Sequence, residues 1–540
     1  MTESATAVVG HPDEPTSPHH SPAATDPAVT DPAMAESRRH LPWIIGTLML
    51  SMLMSSLGQM IFSTALPTIV GELGGVNHMT WVITGFLLGQ TISLPIFGKL
   101  GDQLGRKGLF IFANALFVVG SALGGSTHSM AVLIAARVIQ GVAGGGMMIL
   151  SQAITAEVTT ARERGKYMGL MGSVFGVSSV LGPVLGGWFT DGIGWRWGLY
   201  LNIPLGLISI AAIAYLLRLP KAERHLNMDW AGTLTMAIAT SCLILFATWG
   251  GNEYPWTSAT ILGLIAAAIV FGAAFVLIEL RASDPLVPMT LFKNRNFVLT
   301  TVAGFGIGVF MFGSLSYLPT YLQMVHGMTP TNAGLMLICM MVGLMGTSIV
   351  VGQLVSRHGR YKWFPIVGLL IVAVGMVLLS TLKADSSLVT VGLFMFVFGF
   401  GIGCAMQILV LIVQNSFPLR MVGTATAANN FFRQIGGSLG AALVGGLFVD
   451  NMGDRMAENL PPALASLGEA GRPLAEKFAE GTSHLTPGMV DQLPDAVRTA
   501  IQVSYNDALT PIFFMLMPVA IICSAILIAV REDKLSETIS

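Results

Sequence analysis

Along this chain, long apolar runs nearly empty of charge alternate with short polar joints. Fourteen such runs follow Leu41, at approximately 43–66, 80–97, 108–125, 130–152, 167–189, 197–217, 231–250, 258–279, 298–318, 332–352, 364–382, 388–413, 423–448 and 509–530. About 20 residues of helix cross a hydrocarbon core of ~30 Å, so each run predicts one spanning helix. The pattern predicts an all-α integral membrane protein with 14 transmembrane helices. An even number of crossings returns both ends to one side. With those ends inside, 20 of the 28 lysines and arginines fall on inside tails and joints, as a cytoplasmic face requires. This predicts a multi-pass protein of the cytoplasmic membrane with both termini cytoplasmic. Residues 1–40, rich in Pro, Thr, Ala, Ser and His, read as a disordered tail, and the first run as a retained anchor.

The joint between the second and third runs is Gly98-Lys-Leu-Gly-Asp-Gln-Leu-Gly-Arg-Lys107, with three positive charges and one negative. A second copy, Gly352-Gln-Leu-Val-Ser-Arg-His-Gly-Arg-Tyr-Lys362, joins the tenth and eleventh runs. Gly98 falls on Gly352, Gly105 on Gly359 and Arg106 on Arg360, whereas Asp102 falls on Ser356. A repeat half a chain apart points to duplicated halves, the plan of many secondary transporters. The domains follow: a six-helix half over 41–218, two inserted helices with their flanking joints over 219–296, a second six-helix half over 297–530, and a tail over 531–540. The second half includes a long acidic outer loop over 450–508, read as a lid, a docking surface for an envelope partner or a solvated excursion.

Composition narrows the classes. With 53% hydrophobic and 11% charged residues and a mean hydropathy of +0.70, a water-soluble globule is excluded. The four cysteines sit inside apolar runs, which argues against a disulfide framework or a thiolate metal site. No phosphate-binding loop, zinc-binding histidine pair or nucleophile elbow occurs, so neither an enzyme, a cofactor, a metal nor a nucleic-acid partner is expected.

Several motifs in order resemble the major facilitator superfamily, and within it the fourteen-helix drug:proton antiporters. Gly98, Asp102, Gly105, Arg106 and Lys107 match that superfamily's signature loop, which implies a latch between the halves while the site faces outward. Arg137-Val-Ile-Gln140-Gly141 in the fourth run is similar to the family motif whose arginine is linked to proton movement. Gly182-Pro183-Val-Leu-Gly186-Gly187 in the fifth run resembles the motif associated with export, where glycines serve close helix packing and rocking between states.

One family residue is missing. Ala65-Leu66-Pro67 is in place, but the position nine residues before its proline, often aspartate in that family, is Gly58. No acidic residue lies near a midplane, whereas Arg137 and Arg433 lie within runs. A buried arginine faces either a cavity or structural partners such as carbonyls and amides, and facing the central cavity is the expectation for both. Glu157, at the cytoplasmic end of the fourth run, is the candidate proton site, against a plain pairing with Arg162 or Arg164. Ser55, Gln59 and Ser63 in the first run, Tyr317 in the ninth, Gln407 in the twelfth, and Asn430 and Gln434 in the thirteenth are candidates for a substrate cavity. Methionines such as Met52, Met336, Met340 and Met341 would give it an adaptable lining.

The resemblance implies a secondary exporter of hydrophobic or amphipathic compounds, exchanging them for protons by alternating access. Its partners would be such a small substrate, protons and membrane lipids, and the expected state is a monomer. An exporter or flippase of an endogenous lipid or envelope precursor fits the same scaffold, and a non-transporting membrane sensor is the remaining class.

Overall fold

The computed structural model describes residues 32–74, 78–219, 227–251, 253–468, 487–490 and 492–535, without the side chains of 32–35, 63, 64 and 67. Every predicted run is a helix, and among the described residues 14 helices are long and apolar enough to cross a membrane. Spans 1 to 6 are Leu41–Phe62, Met79–Leu104, Arg106–Ser126, Met130–Val158, Ala161–Asp191 and Trp197–Leu216. Spans 7 and 8 are Trp230–Trp249 and Ala259–Glu279. Spans 9 to 14 are Arg295–His326, Pro330–His358, Trp363–Ser380, Leu388–Asn415, Leu419–Ser466 and Asp495–Ile528. Polar caps start several of them. Thr160 and Glu163 form a reciprocal capping box at span 5, and Asp229 and Asn294 accept backbone N–H groups at the heads of spans 7 and 9. The face carrying Leu41 and Val530 is termed the near face, and the opposite one the far face.

Spans 1–6 and 9–14 form two bundles of the same plan. Span 2 packs along span 4 and span 1 along span 5 in one; span 10 packs along span 12 and span 9 along span 13 in the other. The halves meet along two seams, span 2 against span 13 and span 5 against span 10. Glycine lets backbone touch backbone at both. A Cβ at Gly98 would strike Ala427 and stand 2.8 Å from the Gly423 carbonyl, and one at Gly352 would stand 2.6 Å from the Gly165 carbonyl. The two hairpin copies thus place equivalent glycines on equivalent seams. Gly105 and Gly359 match as well, turning the chain at φ 92° and 71°, values that favour glycine.

Span 7 lies against the seam of spans 2 and 13 and touches both, while span 8 packs chiefly on span 7. Span 8 combines the highest mean hydropathy of the fourteen, 2.9, with the least burial, as a helix bathed in lipid should.

The far face departs from the pattern-based expectation. The loop predicted over 450–508 is largely helical among the described residues, because span 13 runs unbroken to Ser466 and span 14 begins at Asp495. At ~1.5 Å per residue its 48 residues measure about 72 Å, so the last part of span 13 stands beyond a ~30 Å core. Asn459 donates to Ser504 Oγ (3.0 Å), Asn451 donates to the Ala508 carbonyl (3.1 Å), and the Phe448 and Tyr505 rings lie 4.7 Å apart. Met456, Leu460, Val497 and Ile501 are buried along these two arms. Charged residues and Pro461 and Pro462 interrupt the apolar run, which is why sequence pattern ends the helix early. Residues 469–486 and 491 lie outside the described residues.

The tail expected to be disordered over 1–40 ends in a helix, Pro32–Arg39; residues 1–31 are outside the described residues. Local anchors account for it. Ser37 Oγ donates to the Arg218 carbonyl (2.6 Å), and Arg38 pairs with Glu163 at 3.0 Å.

Candidate functional site

The signature hairpin ties the halves together on the near face. Asp102 accepts the backbone N–H of Gly423 (3.1 Å) and both the N–H (2.7 Å) and hydroxyl (2.9 Å) of Thr424, across the seam in span 13. Arg106 donates to Asp102 (2.9 Å), to Glu157 (2.9 Å) and across the seam to the Leu419 carbonyl (2.6 Å). Asp102 and Arg106 are almost fully buried, at 5% and 6% side-chain exposure, so these charges strengthen one another in a low dielectric. Lys107 instead donates to the carbonyls of Ala214 (2.8 Å) and Leu217 (2.5 Å) at the end of span 6.

Glu157 therefore belongs to this latch. The expected alternative, a pairing with Arg162 or Arg164, is not what forms: Arg164 turns to the Ala156 carbonyl (2.7 Å), and Arg162 crosses the other seam. There Arg162 donates to the carbonyls of Ser356 (2.9 Å) and Arg357 (2.7 Å) at the end of span 10. This explains how the second hairpin copy works without an acid. Its helix end supplies carbonyl acceptors, and the charge comes from the opposite half.

The inserted helices join the same assembly. Lys99 pairs with Asp284 in the joint after span 8, and Gln103 donates to Asp284 (2.7 Å) and to the Asn227 carbonyl (3.1 Å). Glu279 holds that joint in shape by accepting the N–H groups of Leu286 (3.1 Å) and Val287 (3.0 Å) while 2% exposed. Nothing in the sequence pattern marks Glu279 for this role, because its partners are backbone groups.

Between the halves, midway along the spans, lies a closed cavity of about 70 Å³. Ser55, Gln59, Gln407 and Gln434, four of the candidates, line it together with Arg433. Asn430 sits just behind, donating to Gln152 Oε1 (2.9 Å) in the opposite half and accepting from Arg433. Gln90 and Gln152 also line the cavity and escaped the sequence reading; each is an amide inside a largely apolar run, the one signal that could have found them. Met52, Met148, Met171, Met311 and Met406 give the methionine lining, whereas Met340 and Met341 are buried in the core of the second half. Tyr317 is elsewhere, in a far-face crevice of about 870 Å³ bounded by spans 2, 7, 9 and 13. The side chain of Ser63 lies outside the described residues.

Arg137 does not reach the cavity. Its guanidinium is sandwiched between the rings of Phe62 and Phe86, 4.2 and 4.4 Å from their centroids, and donates to the Val82 carbonyl (3.2 Å) and to Gln140 (3.0 Å). Gln140 in turn donates to Ser121 (2.7 Å). Two aromatic faces, a carbonyl and an amide surround the guanidinium, whose Nη2 is buried without a hydrogen-bond partner. Gly58 lies beside it: a Cβ there would stand 4.0 Å from Nη1.

In the export motif, Gly182 packs on Met60 of span 1, a Cβ on Gly334 would stand 3.7 Å from Pro183 across the seam, and Gly187 is open. Gly186 is buried. The tight contact between halves lies about two to five turns earlier, where Gly165, Gly169, Gly172 and Gly176 meet Gly352, Ser348 and Met345 of span 10.

Comparison with known proteins agrees with this architecture. The model describing the Major Facilitator Superfamily matches residues 48–441. The multidrug transporter protein MdtP of Bacillus subtilis is 36% identical over 479 residues, 88% of each chain. An uncharacterised transporter of the same type from Mycobacterium tuberculosis is 37% identical over 527 residues, 97% of this chain and 74% of that one. The crystal structure of the human organic anion transporter MFSD10 superposes with a TM-score of 0.59 at 14% identity, covering 90% of this chain and 99% of that one, a likeness of fold alone.

Proposed function

The chain belongs to the major facilitator superfamily, and from that premise we propose that it is a secondary exporter of hydrophobic or amphipathic compounds. The near face is the cytoplasmic face of the cell membrane. The two six-helix halves rock about the central cavity, exposing it to one side at a time, and inward proton flow drives the cycle. The observation that carries this reading is the near-face latch, in which Asp102 and Arg106 bind the opposite half through Gly423, Thr424 and Leu419. A joint of this kind closes one side while polar side chains from both halves converge mid-membrane. Glu157, on the other side of Arg106, is the group through which a proton would loosen it. Names of relatives such as MdtP support multidrug cargo. The protein works as a monomer, and its far-face helical arms are the surface open to an envelope partner.

A second reading, movement of an endogenous lipid or envelope precursor, is favoured by the far-face crevice, which runs beside span 7 at the edge of the two bundles. One experiment addresses both. Purified protein is placed in liposomes holding a pH-sensitive dye, a pH gradient is imposed, and ethidium or a neutral or anionic amphiphile is added. Proton release triggered by a soluble amphiphile supports export by antiport; labelled lipid movement without it shifts the reading to lipid. No response to any of them overturns the proposal.

A further inference from the structure

The charge of the central cavity is one-sided. Arg433 lines it at 5% exposure, and among the described residues no aspartate or glutamate does. A guanidinium in a spanning helix costs several kcal/mol unless it is compensated. Arg137 offsets part of that cost with two rings, a carbonyl and an amide, its Nη2 having no hydrogen-bond partner but lying away from the cavity lining. Arg433 has only a neutral amide, Asn430 Oδ1, as side-chain acceptor.

Hydrogen-bond direction adds a second argument. Arginine has no acceptor atom, so it fixes which end of the Asn430 amide faces it. Asn430 Nδ2 then donates to Gln152 Oε1, which leaves Gln152 Nε2 as the end of the chain. That nitrogen is buried and has no protein partner, and Ser55 Oγ on the same cavity wall is also without one. The relay from Arg433 through Asn430 to Gln152 thus begins in a cationic donor and ends in a free donor. Both ends of the relay call for an acceptor, and a negatively charged one satisfies the guanidinium as well, whereas the partnerless Gln90 Oε1 and Gln407 Oε1 on the same wall call for neutral N–H or O–H donors elsewhere on the cargo. A cationic cargo would meet repulsion from Arg433 and find no carboxylate.

We infer that the cavity selects cargo whose apolar body carries a carboxylate, sulfonate or phosphate group, gripped between Arg433 and Gln152. This rests on the reading of the cavity as the cargo site. The methionines and Phe175 and Phe312 supply the surface for the apolar body. At about 70 Å³ the cavity is closed around its polar groups, so the halves must part before a drug-sized body, ~300–1,000 Å³, can enter.

The test uses the full chain in liposomes with two probes of one skeleton, pyrenebutyrate and pyrenebutyl-trimethylammonium, each corrected for leak through protein-free liposomes. The wild type should move the anion roughly tenfold faster than the cation, Arg433→Gln should bring that ratio close to one, and Arg433→Lys should keep most of it. A wild type that moves the cation as fast or faster, or an Arg433→Gln protein with the wild-type ratio, overturns the inference and leaves the export reading standing. If the wild type moves neither probe, the export reading itself fails and this inference with it. Should Arg433→Gln not fold, the wild-type ratio decides alone. A third arm, pyrene-labelled phosphatidylglycerol, separates the sources of the anion: its translocation marks a lipid headgroup, and movement of pyrenebutyrate alone marks a free amphiphile.

Discussion

Asn430 of the second half donates a 2.9 Å hydrogen bond to the Oε1 of Gln152 in the first half, at the wall of the central cavity. The bond joins halves that must separate to load cargo, and Arg433 orients it from behind. Gln152→Glu preserves the acceptor and replaces the free amide with a carboxylate. It is expected to reverse the probe preference in the pyrene assay, the cation then moving faster by about tenfold. An unchanged preference would show that this relay does not read charge.

Gly352 marks a tight backbone approach on the seam of spans 5 and 10, with the Gly165 carbonyl 2.6 Å and Gly169 Cα 3.1 Å from a Cβ placed there. Neither neighbour is the end of a flexible side chain, so the helices themselves must move. Gly352→Ala should disfavour near-face closure by ~1–3 kcal/mol, roughly a 5- to 150-fold change in the balance of states. Cysteine crosslinking across the near-face ends of spans 5 and 10 should slow accordingly; wild-type crosslinking would refute the close-approach argument.

Gly58 leaves Arg137 without the carboxylate that the sequence resemblance implies for this position, and a Cβ there has room on the arginine side but stands 3.3 Å from Phe117. Gly58→Asp would place a titratable group against a buried guanidinium. Transport by that variant should acquire a pH-dependent step missing from the wild type, with Phe117 shifting slightly to admit the side chain. Superimposable pH profiles of the two proteins would show that position 58 is silent in coupling.

On the far face, Glu72 accepts from Trp195 (2.7 Å) and from Arg196 (2.5 Å), and the Trp195 bond first, then Arg196, holds its carboxyl below the ordinary value of 4.5. A carboxylate with a lowered folded-state pKa stabilises the protein above its unfolded-state value, and that contribution is lost as pH falls through the folded-state value. Because Glu72 is 45% exposed, solvent screens the pair and the effect should be small. Melting curves recorded from neutral pH to below 4.5 should therefore converge for wild type and Glu72→Gln at the acid end. A gap that persists or widens there would assign the difference to packing instead.

Much of this architecture was written in the chain. Charge-free runs of about 20 residues have few alternatives to a spanning helix, so all 14 were legible, and the repeated hairpin placed the two halves. The cavity was partly legible because Ser55, Gln59, Gln407 and Gln434 stand out as polar groups among apolar neighbours. What sequence could not supply was direction. Arg137 and Arg433 look alike in their runs, yet one is enclosed by Phe62 and Phe86 and the other opens on the cavity, a difference made by residues far away in sequence. Glu157 chose Arg106, 51 residues away, over Arg162 and Arg164 nearby. The far-face arms were hidden for a different reason: outside lipid a helix needs no unbroken apolar run, only a buried stripe such as Met456 and Leu460.

In the proposed cycle the hairpin latch holds the near face closed. Its most direct test is the distance between spin labels on the near-face ends of spans 3 and 11, at Gly108 and Trp363, with a far-face pair at Leu123 and Val389 as reference. Asp102→Asn removes the charge that binds Arg106, Gly423 and Thr424, and breaking a buried pair of this kind costs about 3–5 kcal/mol. The variant should gain a long near-face distance and lose the long far-face one, relative to the wild type. Identical distance distributions in the two proteins, on both faces, would contradict it.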